Sequence, residues 1–158
     1  MKKVLFVLLM LSLSGPSLMA QDTMNFEDYI QLARSDIRNS VKEIIIANMA
    51  FTEQESAAFW PVYADYEKER VTINDRLQKL IEEYATAYNA GKVPDKTAEG
   101  LLQRSLKIQK NRIGLQEKFT PKFKKVLPMT KVVQFFQIQN KLQAIINLQL
   151  AAEIPLVK

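Results

Sequence analysis

Residues 52–90 read TEQESAAFWPVYADYEKERVTINDRLQKLIEEYATAYNA, and this stretch decides the fold. Large apolar side chains recur at Phe59, Val62, Tyr63, Tyr66, Ile73, Leu77, Leu80, Ile81, Tyr84 and Tyr88. Steps of three and four sustained in this way trace one face of a single helix, interrupted by Arg70. Thr52 and Glu55 stand at the spacing of a capping box, in which each side chain satisfies a backbone N–H left unpaired at the helix start. Ala90-Gly91 supplies the stop, and Lys92-Val93-Pro94-Asp95 the turn. A helix of about 37 residues is about 55 Å long, whereas a compact globule of this size is roughly 30 Å across. The helix therefore bends at Pro61, which removes a backbone hydrogen bond and clashes with the turn before it, or the fold is elongated.

The flanking sequence continues in the same period. The spacing predicts a first helix from an Asn25 cap to about Asn48, with Phe26, Tyr29, Ile30, Ala33, Ile37, Val41 and Ile44 in one stripe. A third helix is expected over 96–126, with Pro121 as a second bend. A fourth runs over 129–150 after Leu127-Pro128, and the tail Ile154-Pro155-Leu156 is extended. No strand-like alternation persists. The expected fold is all-α: four long bent helices forming helical hairpins in a single domain over residues 21–158.

Residues 1–20 read as an address. Lys2 and Lys3 precede the apolar run VLFVLLMLSL, Gly15-Pro16 breaks it, and Ser17-Leu18-Met19-Ala20 offers a cleavage site after Ala20. An uncleaved anchor is the alternative, although the run is about half the length that spans a bilayer. The expectation is export by a cleavable signal peptide, with the periplasm as the destination.

Composition excludes much chemistry. The 158 residues contain no Cys, no His, 4 Gly and one Trp. Without Cys or His there is no disulfide, no lipoprotein anchor, no Ser-His-Asp or Cys-His arrangement and no zinc site of the usual kind. A non-catalytic protein without cofactor or metal is expected. The net charge of +5 hides a division: residues 21–99 carry nine Lys and Arg against fifteen Asp and Glu, and residues 100–158 carry eleven against two. In an exported chain such a basic half suits acidic polypeptides or an anionic membrane surface, not nucleic acid.

A weak repeat appears when residue 51 is placed over residue 127. Phe51-Thr52-Glu53-Gln54-Glu55 falls on Leu127-Pro128-Met129-Thr130-Lys131, and Phe59-Trp60 on Phe135-Phe136. Each copy has an apolar residue before a helix, a capping position and an aromatic pair two turns in; any two capped amphipathic helices share some of this. With these residues the chain resembles the Spy/CpxP family of periplasmic proteins, whose LTxxQ motifs stand at such helix starts. Phe51, Thr52 and Glu55 occupy the first motif, with Phe for Leu and Glu for Gln. Leu127, Pro128 and Lys131 occupy the second, with Pro for Thr and Lys for Gln. The resemblance covers most of residues 25–150. It implies a cradle-like dimer of bent hairpins with an ATP-independent chaperone or stress-sensing role and no catalysis.

The candidate client-binding face is a basic ridge on the third helix. Arg104, Lys107, Lys118, Lys122 and Lys125 lie on one side of the wheel, beside Leu101, Ile108, Leu115, Phe119, Phe123 and Val126. Such a ridge beside an apolar strip speeds the encounter with an acidic or amphipathic chain and holds it loosely. A solvated face whose lysine stems cover core is the alternative. Helix four is apolar around most of its circumference, with Lys141 its one charge between Val132 and Leu150, so it is expected to be buried on more than one side. A homodimer interface or a central place in a monomeric bundle satisfies that. Phe59, Trp60, Tyr63 and Tyr66 read as packing residues. The expected partners are unfolded or amphipathic polypeptides. A membrane sensor or anti-sigma protein bound by a regulatory module, and an anionic lipid surface, remain as alternatives.

Overall fold

The computed structural model describes residues 40–157, which are helical and contain no strand. Helix α1 occupies 40–49 of the described residues. It is followed by α2 (Glu53–Asn89), α3 (Asp95–Lys124) and α4 (Met129–Glu153). The predicted signal peptide and the stripe residues Phe26 to Ile37 lie outside the described residues. The chain divides after Ser40, and the helices from Val41 onward belong to one unit.

Helix α2 starts as its sequence dictates. The Thr52 N–H donates to Glu55 Oε2 at 2.8 Å and the Glu55 N–H to Thr52 Oγ1 at 3.2 Å, so both halves of the capping box are made. The helix ends at Ala90, and Gly91 takes the left-handed conformation at φ 85° that a residue without Cβ adopts most cheaply. Pro61 and Pro121 lie inside α2 and α3 without interrupting either helix. Both are exposed, as are Ala57 and Glu117, the residues four positions earlier whose carbonyls lose an N–H partner, so water can replace it.

Helices α2 and α3 run antiparallel, as Lys118–Glu69, Arg112–Asn74 and Arg104–Glu83 show. The seam between them buries Phe59, Tyr63, Tyr66, Ile73 and Leu80 of α2 against Leu101, Ile108, Leu115, Phe119 and Phe123 of α3. Helix α4 adds Val132 and Phe135 at one end. There the core is aromatic: Phe135 lies 4.7 Å from Phe123 and 5.4 Å from Phe59, ring centroid to centroid. Tyr66 meets Phe119, Phe123, Phe135 and Phe136 edge-on. Each fully buried ring contributes about 1.5–3 kcal/mol by leaving water.

Two expectations change. In α1 the buried stripe is Val41, Ile45 and Met49, and Ile44 is exposed. Three successive isoleucines at 44–46 leave the phase open, and burial of Met49, four residues beyond Ile45, fixes it. Among the described residues α4 is covered on one side. Its buried residues Val132, Phe135 and Gln139 all fall in its first three turns, whereas Ile145 and Leu148 further along are exposed. A central place for α4 in a monomeric bundle is therefore not observed among the described residues.

Candidate functional site

The two repeat copies meet. Lys131 Nζ donates to the Glu55 carboxylate and, at 2.8 Å, to the carbonyl of Ala50, and it sits 5.9 Å from the centre of the Phe51 ring. Three residues further on, Gln134 Nε2 donates to the Asn48 carbonyl at 2.6 Å. The start of α4 thus caps the end of α1, where Ala50 turns the chain at φ 43°, and ties both to the start of α2. Phe51, the apolar residue before the N-cap, packs 4.7 Å from Phe59, two turns into α2.

The second copy differs from the first for a chemical reason. Pro128 occupies the N-cap of α4 with no side-chain hydrogen bond, and a proline has no N–H to donate to the side chain of the third helical residue. That residue is Lys131, a donor, and it reaches across to Glu55 Oε2, the same oxygen that accepts from the Thr52 N–H. The Lys131 hydrogen bond, followed by the Thr52 N–H, holds the Glu55 carboxyl below its ordinary range. Phe59, Trp60, Phe135 and Phe136 form the aromatic packing beneath, with Phe59 and Phe135 fully buried, and Trp60 Nε1 donates to Ser56 Oγ at 3.0 Å.

The predicted client-binding face separates into two kinds of residue. Phe119 and Phe123 are both 0% exposed and belong to the core, so they present no surface to a partner. Leu101, Ile108 and Leu115 are buried as well, because the stripe with the strongest helical period is the one that faces α2. The cations beside them do reach the surface. Arg104 pairs with Glu83 and Lys118 with Glu69, acids contributed by α2 and invisible in the sequence around α3. Lys122 lies 4.2 Å over the Phe119 ring, and Lys107 and Lys125 are exposed.

Sequence reasoning passed over a second apolar line on α3. Leu102, Leu106 and Ile113 are exposed by 61%, 47% and 60%. At 100° per residue they share one side of the helix, on the opposite flank of the buried stripe from the basic ridge. Their spacing of four and seven was legible, yet it is masked by the longer buried stripe. Near the far end of the α2–α3 pair, Leu102 borders an apolar cleft of ≈ 390 Å³. A second cleft of ≈ 370 Å³, floored by Ile73 and Leu115, is edged by Arg76, Lys110 and Lys118.

Charge is also partly buried between the helices. Arg70 makes two bonds to Glu67, at 2.7 and 2.8 Å; burial opposes its charge, but the carboxylate outweighs that and holds the guanidinium above its ordinary value. Arg112 has a neutral partner, Asn74 Oδ1 at 3.3 Å, and burial, with repulsion from Arg70, lowers its pKa. Burial raises Tyr66 to about 12 and raises Tyr63 further, so neither phenol ionises at neutral pH. Among the described residues no three acidic side chains gather in a way that would hold a metal ion, and no helix is long and apolar enough to cross a membrane. Comparison with protein families, with curated proteins and with solved structures returns no match to this chain.

Proposed function

We propose that the chain is a non-catalytic polypeptide-binding protein, exported to the periplasm, that acts as an ATP-independent chaperone of the Spy/CpxP kind. One observation carries the reading: Leu102, Leu106 and Ile113 stand exposed along one side of α3, a helix whose other side is firmly packed. A line of large aliphatic side chains on a well-built helix marks a contact surface. The exposed Lys107 and Lys122 on the same helix, with Lys125 just past its end, attract acidic segments before apolar contact is made. The signal-like residues 1–20 and the meeting of the two motif positions at Glu55 and Lys131 support the same reading. The exposed distal half of α4, with Leu148 at 73%, suits a second copy, giving the cradle-like homodimer that the resemblance implies.

The test is aggregation of a chemically denatured protein followed by light scattering without nucleotide. Equimolar chain is expected to suppress it. Reversing Lys107, Lys122 and Lys125 to Glu, or raising the salt, is expected to weaken suppression. Absence of suppression at equimolar chain overturns the reading, and a membrane pulldown that yields a single stoichiometric partner replaces it with the regulatory one.

A further inference from the structure

The apolar cleft at the far end of the α2–α3 pair is walled on one side by a stretch of the chain's own polypeptide. Its floor and sides include Leu77, Leu80 and Tyr84 of α2 with Leu101 and Leu102 of α3, and the wall opposite is Leu150 of α4 with residues 154–157 of the chain itself. Pro155 explains why the tail lies there. It ends α4, whose last bond is the Ile154 N–H to the Leu150 carbonyl at 2.9 Å, and it holds Ile154 extended at φ −90° and ψ 113°. The chain then leaves the helix axis, and Tyr84 Oη donates to the Pro155 carbonyl at 2.8 Å. The tail is thus held as a ligand would be: an extended apolar segment gripped through its main chain, with its aliphatic side chains lining a cleft.

We propose that this cleft binds one extended apolar segment of a client polypeptide, and that the C-terminal tail 154–157 is its built-in competitor. The proposal rests on the polypeptide-binding reading and assigns a site to it. The chemistry selects a peptide. Tyr84 places a phenolic donor against a backbone carbonyl, and Ser105 supplies a second hydroxyl in the lining. No Lys or Arg stands among the lining residues to meet the carboxylate or phosphate of a lipid. The volume, ≈ 390 Å³, lies within the roughly 300–1,000 Å³ typical of ligand clefts. Pro155, Leu156 and Val157 are exposed, Leu156 by 88%, so the tail lies at the rim of the cleft, where an incoming segment can displace it. The exposed Leu102 and Leu106 then continue the track outward along α3.

The test is fluorescence anisotropy of a labelled peptide with the sequence of residues 150–158, LAAEIPLVK, titrated with the full chain. A tethered competitor acts at an effective concentration in the millimolar range, so weakening it frees the cleft. Ile154→Asp, which spoils the tail and leaves the α2 and α3 walls of the cleft intact, is expected to tighten peptide binding by about tenfold or more. Pro155→Gly, which removes the rigid exit from α4, is a second variant that perturbs no core residue and is expected to act in the same direction. Leu102→Glu, at an exposed edge of the cleft, is expected to abolish binding in the Ile154→Asp background with the helical circular dichroism unchanged. Equal affinity of the original chain and both tail variants, or binding undiminished by Leu102→Glu, overturns the proposal. Binding of a fluorescent dodecanoic acid with none of the peptide also overturns it. Peptide binding without suppression of aggregation removes the chaperone reading and leaves the cleft; suppression without peptide binding does the reverse.

Discussion

A double-mutant cycle on Phe59 and Phe135 asks whether the two repeat copies share one core. Both rings are fully buried, 5.4 Å apart at 76°, and each touches Phe123 and Tyr63. Phe→Leu keeps an apolar side chain at each position and removes the aromatic pair, which contributes about 0.5–1.5 kcal/mol beyond the area it buries. Each single variant is expected to lose about 1–2 kcal/mol through that loss and imperfect refilling of the space. The second substitution is then expected to cost about 1 kcal/mol less than the first, because the pair is already broken. Urea unfolding provides the assay. Trp60, the one tryptophan, lies 5.1 Å from Phe59 and reports the junction directly, and circular dichroism reports the helices. With a slope of about 1–3 kcal/mol per molar urea, a 1 kcal/mol coupling moves the midpoint by about 0.3–1 M. Additivity within about 0.3 kcal/mol would refute the shared core. Separate transitions for tryptophan fluorescence and circular dichroism would refute it too, since the two ends of the chain would then unfold independently.

Three further predictions follow from single residues. The Glu55 carboxyl is held below its ordinary range, so its contribution is complete above the unfolded value of about 4.3 and is lost as pH falls through the lower folded value; the difference between wild type and Glu55→Gln in urea midpoint should be constant at neutral pH and vanish in acid, and a difference that grows in acid contradicts the sign. Ala50 turns at φ 43°, and Ala50→Gly is expected to stabilise the chain by about 1 kcal/mol, where glycine ordinarily weakens it; a loss of stability would show that the turn is unstrained. Gln139 Nε2 is buried without a hydrogen-bond partner, and Gln139→Met is expected to be neutral or to stabilise by about 1 kcal/mol in thermal unfolding; destabilisation by more than that would show that the amide is satisfied in solution.

Residues that interact within one or two turns were readable from the sequence. Thr52 and Glu55 made the capping box because both partners lie on one turn, and Gly91 took the left-handed stop for which it is suited. The buried stripe of α2 followed its period from Phe59 to Leu80. The arrangement of whole helices was less accessible. Glu55 and Lys131 were singled out as corresponding positions of a repeat, but their pairing spans 76 residues and depends on Pro128 lacking an N–H. Phe119 and Phe123 lie beside cations on the wheel, yet a wheel does not say which neighbouring stripe faces α2 and which faces water. The acids that neutralise Arg104 and Lys118 belong to another helix, and the charge count along α3 missed them for that reason. The contact of Tyr84 with Pro155 joins residues 71 apart through a tail with no periodicity to reveal it.

Polypeptide binding along the exposed side of α3 is tested most directly by photo-crosslinking. A photoreactive amino acid placed at Leu106, which is exposed, is compared with one at Glu82, exposed on α2, in the presence of a denatured client. Strong client adducts are expected at position 106 and few at position 82, with loss of the former when excess folded client replaces the denatured one. Equal labelling at the two positions, or no adduct at position 106, would contradict it.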